Sequence, residues 1–511
     1  MKSWETLKSR LIEIDDINGA ASLLRWDQTT YMPPGGAPAR GRQLATLSRL
    51  AHERFIEAET GRLLDAAEQE TSALPADSDE AALVRVTRRS YEQSVKIPGA
   101  LVSELQEHAA ESYQAWTVAK PKNDFTMVRP MLERTLELSR RMADCFPGYD
   151  HMADPLIDFS DYGMKAASVK ALFSELRSKL VPIVRAITSR PTTDDSCVRQ
   201  HAPEAQQLAF GLDVIRRFGF DFERGRQDKT HHPFMTKFSL GDVRITTRVR
   251  EDEITDALFS TLHECGHALY ELGIDRSFEG TPLANGTSSG VHESQSRLWE
   301  NLIGRSRGFW EHFYPLLQKV FTTQLRNVSL DTFYRAVNKV ERSLIRTDAD
   351  EVTYNLHVML RFDLELDLLE GKVAVKDLAQ VWRERFEADF GLIVPDDTRG
   401  VLQDVHWYAG TIGGVFQGYT LGNILSAQLH AAAVKANPGI PADVKRGEFG
   451  VLHGWLRDNV YRHGSKFTAP ELIERVTGSA LALDPYLDYL WGKYQPLYDL
   501  QPDERGVTAS R

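Results

Sequence analysis

Apolar residues recur at three- and four-residue steps through most of this chain, charged residues fill the gaps, and Gly/Pro punctuation is sparse. That period belongs to amphipathic helices, so the fold class is mainly α. The segment from Ala166 to Ile187 is representative, with Val169, Leu172, Phe173, Leu176, Leu180 and Ile183 on one stripe. Breaks fall at Met32-Pro33-Pro34-Gly35-Gly36, around Leu74-Pro75-Ala76-Asp77, at Phe146-Pro147-Gly148 and at Asn437-Pro438-Gly439. None is long enough to read as a flexible linker, although 511 residues could hold about three domains on length alone. One stretch changes period. From Phe238 to Val249 the residues alternate, several are β-branched, and Gly241-Asp242 supplies a turn, which predicts a small hairpin.

Composition narrows the function classes. With 42% hydrophobic and 26% charged residues the chain reads as globular and able to bury a large core. A formal charge of -11, with no basic stripe, argues against a nucleic-acid partner. No window is long and apolar enough to span a bilayer, and the start, Met1-Lys2-Ser3-Trp4-Glu5, lacks the apolar run of a secretory signal. The three cysteines, Cys145, Cys197 and Cys265, are few and far apart, which fits a reducing compartment and buried thiols. A cytoplasmic location is the default expectation.

Directly after the hairpin comes His263-Glu264-Cys265-Gly266-His267. In H-E-x-x-H on a helix the histidines lie about one turn apart, so both imidazoles leave the same face and can share one ion. The glutamate lies beside them, where it can take a proton from water. Ile254, Leu258, Leu262, Leu269 and Leu272 keep helical spacing around the motif, Asp252 and Glu253 suit its start, and Gly273 its stop. Alone the pattern is moderately specific. A catalytic zinc takes three protein ligands and leaves one position open, and Glu293, opening a second predicted helix in Gly290-Val291-His292-Glu293-Ser294-Gln295-Ser296-Arg297, completes a His-His-Glu set. His292 is the competing donor. Such a set accepts cobalt or manganese as well as zinc.

With these residues in place, the chain closely resembles the carboxypeptidase Taq family of zinc metallocarboxypeptidases. The shared segments include Trp26-Asp27, Met32-Pro33-Pro34-Gly35-Gly36-Ala37, His232-Pro233-Phe234 and Asp242-Val243-Arg244-Ile245-Thr246. The motif helix and His292-Glu293-Ser294-Gln295-Ser296-Arg297 follow, then Ile345-Arg346-Thr347-Asp348-Ala349-Asp350 and Gly400-Val401-Leu402-Gln403-Asp404-Val405-His406-Trp407. The resemblance implies a single catalytic domain over 1–511, gluzincin-like, its helical fold split by a long deep groove with a small antiparallel sheet near the metal. It implies a homodimer that removes C-terminal residues from peptides. Within that resemblance His263, His267 and Glu293 are the metal ligands and Glu264 the general base. Arg346 is the cation for the substrate carboxylate, with an ion pair to Asp348 or Asp350 as its structural alternative. His406 and Tyr419 correspond to the oxyanion donors, with Tyr408 in reserve.

Many members read Gly-Tyr-Phe-Pro-Thr-Tyr after the last motif, where this chain has Gly413-Gly414-Val415-Phe416-Gln417-Gly418-Tyr419. A groove-wall or core role is the alternative for either tyrosine. Arg244 is a further substrate-binding candidate, or it pairs with Asp242. His231-His232 reads as a turn with a buried imidazole, and Trp26-Asp27 as a brace for the first helices. Other readings are an oligopeptidase or dipeptidyl carboxypeptidase sharing the motif, and a helical peptide-binding scaffold with an idle metal site.

Overall fold

The stripe between Ala166 and Ile187 becomes one helix, Ala166–Thr188, with Val169, Phe173, Leu176, Leu180, Ile183, Val184 and Ile187 buried. This is a computed structural model, and it describes residues 2–505. The other punctuation behaves as its chemistry requires. Pro34–Gly36 forms a single tight turn between the helices Ser3–Thr30 and Ala37–Ile56, and the Asn437-Pro438-Gly439 break follows the helix Gln417–Ala436. Among the described residues no helix is long and apolar enough to cross a membrane.

The chain divides into two compact units, each built from three chain segments. The first comprises Met1–Val95, Asp195–Val337 and Leu425–Leu481. Its aromatic centre packs Phe218 against Trp299 and Phe449 at 4.5 and 4.6 Å between ring centroids. The second comprises Lys96–Asp194, Asn338–Ile424 and Ala482–Arg511. It is organised on the helix Tyr354–Leu369, buried over nearly its whole circumference, with Phe362 against Phe173 at 5.2 Å.

The first unit holds the one sheet among the described residues, ordered β1 (Gly225–Lys229), β3 (Asp242–Thr247), β2 (Met235–Ser239). β2 and β3 form the predicted hairpin, antiparallel, with a bulge between Lys237 and Ser239. β1 adds a parallel edge, so the sheet is mixed rather than purely antiparallel. Its sequence, Gly-Arg-Gln-Asp-Lys, has no apolar alternation, and its pairing is supplied wholly by β3. Central β3 buries Val243 and Ile245 completely.

The motif helix spans Asp256–Gly273 and lies against this sheet: the Thr247 hydroxyl on β3 donates to the Ala257 carbonyl at 3.3 Å, and that of Thr261 donates to Thr247 at 3.2 Å. It begins after Asp252 and Glu253, with Asp256 as the acid of its first turn. Gly273 is its last residue rather than a left-handed stop. A Cβ there would meet the Tyr461 side chain at 2.7 Å, so close approach is what requires glycine.

Candidate active site

Two helices of the first unit cross at Gly266. A Cβ on this residue would lie 2.5 Å from the Gln295 carbonyl oxygen and 2.7 Å from Ser296 Cα, so the glycine lets the helix Ser289–Arg297 come within backbone contact of the motif helix. The second helix is capped by the Ser288 hydroxyl, which accepts from the Val291 N–H at 3.1 Å. Beyond Arg297 it widens into a π-helical turn, Leu298–Gly304, a distortion frequent at functional sites.

Across this crossing the three expected donors converge. Glu293 Oε2 lies 3.4 Å from His267 Nε2 and 3.8 Å from His263 Nε2, and one donor atom from each residue falls within 4.8 Å of the others. Donors about 2.0–2.1 Å from a tetrahedral zinc are about 3.3 Å apart, so two imidazole nitrogens and a carboxylate oxygen fit such an ion in chemistry and spacing.

The hydrogen bonds behind the ring nitrogens set the tautomers. His263 Nδ1 donates to Glu300 Oε2 at 2.9 Å, leaving Nε2 to offer a lone pair. His267 Nδ1 stands 2.6 Å from His292 Nδ1, and His292 Nε2 donates to Glu271 Oε1 at 2.9 Å. Lys237 Nζ on β2 donates to Glu271 Oε2 at 2.6 Å and also to the Ala284 carbonyl. With His292 donating to Glu271, its Nδ1 accepts from His267, whose Nε2 is thereby free for a metal. His292, the competing donor on sequence grounds, stands behind His267 instead.

Charges are arranged accordingly. Burial would raise Glu293, but Arg297, His263 and His267 hold its carboxyl far below the usual range. Burial would likewise raise Glu300, and His263 with Arg297 brings it to about 2. Burial pushes His267 down to about 4, keeping the imidazole neutral. Burial also pushes Glu264 up to about 7, helped by Glu293 and Glu300 and opposed by His263 and the Met235 backbone N–H of β2. A carboxyl near neutrality is suited to taking and returning a proton.

Arg346, His406, Tyr408 and Tyr419 all belong to the second unit. Arg346 is buried, and its partner is Asp404, not Asp348 or Asp350: Nε donates to Asp404 Oδ2 at 2.7 Å and Nη1 to the Tyr354 hydroxyl at 2.8 Å. Asp350 instead accepts from Val352, Thr353 and Glu341. Asp404 Oδ1 accepts from His406 Nδ1 at 2.5 Å, so one carboxylate aligns the arginine and the histidine. Burial would raise Asp404, and Arg361, His406 and Arg346 together drive it far down. His406 Nε2 lies 3.3 Å from the Tyr419 hydroxyl, whereas Tyr408 is wholly buried near Trp116. Of the two tyrosines, Tyr419 is the one the fold brings to His406.

Arg244 pairs through two hydrogen bonds with Asp242, at 2.8 and 2.7 Å, and lies over Trp26. Its guanidinium is thus engaged within the first unit by the structural alternative. His231 and His232 are both exposed, correcting the buried imidazole expected there, because the loop before β2 turns outward. Asp27 holds Arg40 at 2.8 Å and so braces the first two helices, as expected. Cys265 is buried, and Cys145 and Cys197 are partly so.

Sequence reasoning assigned no role to Arg297, Glu300, Glu271, Lys237, Tyr354 or Asp404. Arg297 and Glu300, four and seven residues beyond Glu293, share its helix face and were open to recognition by spacing. Lys237 carries no such signal.

A helical protein with a metal-donor triad on crossed helices and a buried glutamate beside it has the makings of a metallopeptidase. The family model described as carboxypeptidase Taq (M32) metallopeptidase matches residues 6–494, and the chain belongs to that family. Thermostable carboxypeptidase 1 of Thermus thermophilus is 41% identical over 93% of this chain and 95% of its own length. Carboxypeptidase 1 of Bacillus subtilis is 35% identical over 96% and 97%. Among solved structures, the M32 carboxypeptidase from Deinococcus radiodurans R1 superposes with a TM-score of 0.95 at 52% identity, covering 98% of this chain and 100% of that one. The Trypanosoma cruzi metallocarboxypeptidase 1 gives 0.92 at 30% identity over 97% and 100%. The chain is therefore a peptidase of the hydrolase class that requires a divalent metal and acts on peptides.

Proposed function

We propose that this protein is a zinc carboxypeptidase, able to accept cobalt or manganese, that removes single C-terminal residues from peptides with broad side-chain tolerance. The observation that carries the reading is the convergence of His263, His267 and Glu293 beside Glu264, the one buried carboxyl of the motif. The ion, when bound, supplies the Lewis acidity that lowers the pKa of water and polarises a peptide carbonyl. Glu264 takes the proton from the attacking water and returns it to the leaving amine. His406 and Tyr419 hold the negative charge that develops on the carbonyl oxygen.

Arg346, fixed by Asp404 and Tyr354, receives the free carboxylate of the substrate, and the planar guanidinium suits that ion in two-pronged fashion. Arg244 and Tyr408 stay outside this proposal, one held by Asp242 and the other enclosed. Residues 1–511 act as one catalytic domain and as a homodimer, as the family resemblance suggests, and a cytoplasmic location is the default reading of the sequence.

The decisive experiment incubates zinc- and cobalt-loaded protein with a peptide ladder, free or amidated at the C-terminus, and reads product masses. Single-residue steps from free peptides only are expected. Equal cleavage of amidated peptides overturns carboxylate recognition by Arg346, and dipeptide or internal products overturn single-residue removal. Glu264→Gln is expected to bind metal yet lose turnover, and retained turnover rejects its role as base.

A further inference from the structure

Glu293 offers the triad only one oxygen. Its Oε2 faces the two histidine Nε2 atoms, while Oε1 accepts from Arg297 Nε at 2.7 Å, one helical turn further on. Arg297 Nη1 also reaches Glu300 Oε2 at 3.5 Å, the oxygen that receives the His263 Nδ1 proton. Arg305 Nη2 lies 3.3 Å from the other Glu300 oxygen. One guanidinium thus contacts Glu293 directly and reaches His263 through the Glu300 carboxylate. Both Arg297 and Glu293 are largely shielded from water, where a charge-assisted bond of this length holds its geometry.

A carboxylate free at both oxygens can bind a divalent ion through two, raising the coordination number and crowding the position that water and the substrate carbonyl need. It also delivers a full negative charge that blunts the Lewis acid. We infer that Arg297 is a positioning residue that restricts Glu293 to single-oxygen donation and offsets its charge, so that the bound metal stays under-coordinated and electrophilic. This rests on the reading of His263, His267 and Glu293 as the metal donors.

The consequence runs against a merely structural role. Removing Arg297 frees the second oxygen and its charge, so metal should bind more tightly while turnover falls. The test titrates Co(II) into metal-free full-length protein, wild type, Arg297→Gln and Arg297→Lys. It follows the visible d–d bands and measures affinity by competition with a chelator, with circular dichroism as the check on folding. Wild type is expected to give the intense bands of low-coordinate cobalt. Arg297→Gln should give weaker bands and a dissociation constant lower by on the order of tenfold. Arg297→Lys, which keeps the cation, should restore both.

Cobalt affinity in Arg297→Gln that is unchanged or weaker, with wild-type band intensity, overturns the inference. Should Arg297→Gln fail to fold, the lysine variant decides: bands or affinity unlike wild type overturn it. A wild-type protein that takes up no cobalt overturns the donor assignment itself, an outcome distinct from the others.

Discussion

The glycine at the helix crossing offers the sharpest test of how the metal donors are held. In Gly266→Ala the new methyl group would sit 2.5 Å from the Gln295 carbonyl oxygen and 2.7 Å from Ser296 Cα, almost 1 Å inside the onset of ordinary contact. Both atoms are backbone, so a rotamer change cannot relieve the clash and the helices must part. Overpacking of this kind costs about 1–3 kcal/mol, while alanine in place of glycine returns up to about 1 kcal/mol of helix propensity. The metal-free protein should therefore lose no more than about 3 kcal/mol.

The donors suffer more. His267 follows Gly266 directly, and its Nε2 is 3.4 Å from Glu293 on the opposite helix. Parting the helices by about half an ångström or more widens that pair well past the roughly 3.3 Å a tetrahedral ion asks for. Zinc affinity should fall about 10–100-fold, the scale seen when outer supports of metal ligands are removed. Chelator competition measures the affinity, and urea denaturation of the metal-free form measures the stability. A folded Gly266→Ala protein with wild-type zinc affinity would refute the idea that the crossing sets the donor spacing.

Two further perturbations probe the second unit. Asp404→Asn deprives buried Arg346 of its ionic partner and His406 of its anchor; we expect a loss of about 3 kcal/mol in urea unfolding and a large fall in kcat/KM, and a variant equal to wild type in both would contradict the shared-carboxylate reading. Glu365, which accepts from Trp407 Nε1 at 2.7 Å, is raised by burial from 4.5 to about 7, with Trp407 and Arg361 opposing. Because its folded value lies above the unfolded one, its stabilising contribution is full below about pH 4.5 and is lost as pH rises through 7, a swing of about 3 kcal/mol. Stability curves of Glu365→Gln at pH 5 and pH 8 should lack that swing, and an identical pH slope in the two proteins would show that Glu365 is not the group responsible.

Much of this was readable from residue order, for reasons of periodicity. His263 and His267 are four apart on a helix, so their shared face follows from the 3.6-residue turn, and the hairpin announced itself by a period of two. Helical spacing, had it been followed past Glu293, puts Arg297 and Glu300 on the same face. What spacing cannot supply is the partner two helices further along the chain. Arg346 has acids two and four residues away, yet bonds to Asp404, 58 positions on: Asp348 is exposed and Asp350 accepts from Val352, Thr353 and Glu341. Tyr408 stayed in reserve behind Tyr419 because sequence does not give side-chain direction. The parallel edge β1 was hidden because none of its residues alternates in polarity.

The motif helix is enclosed on nearly every side, with Leu258, Leu262, Cys265, Ala268, Leu269 and Tyr270 at most 3% exposed. Its central amides can exchange with solvent only when the whole unit opens, so deuterium should reach Cys265 and Gly266 among the last positions in the chain. A chelator then has a narrow task. It can take the ion and leave the cradle standing, so apo-protein stored for hours in heavy water should still present a ready-made socket and regain a divalent ion faster than it gains label.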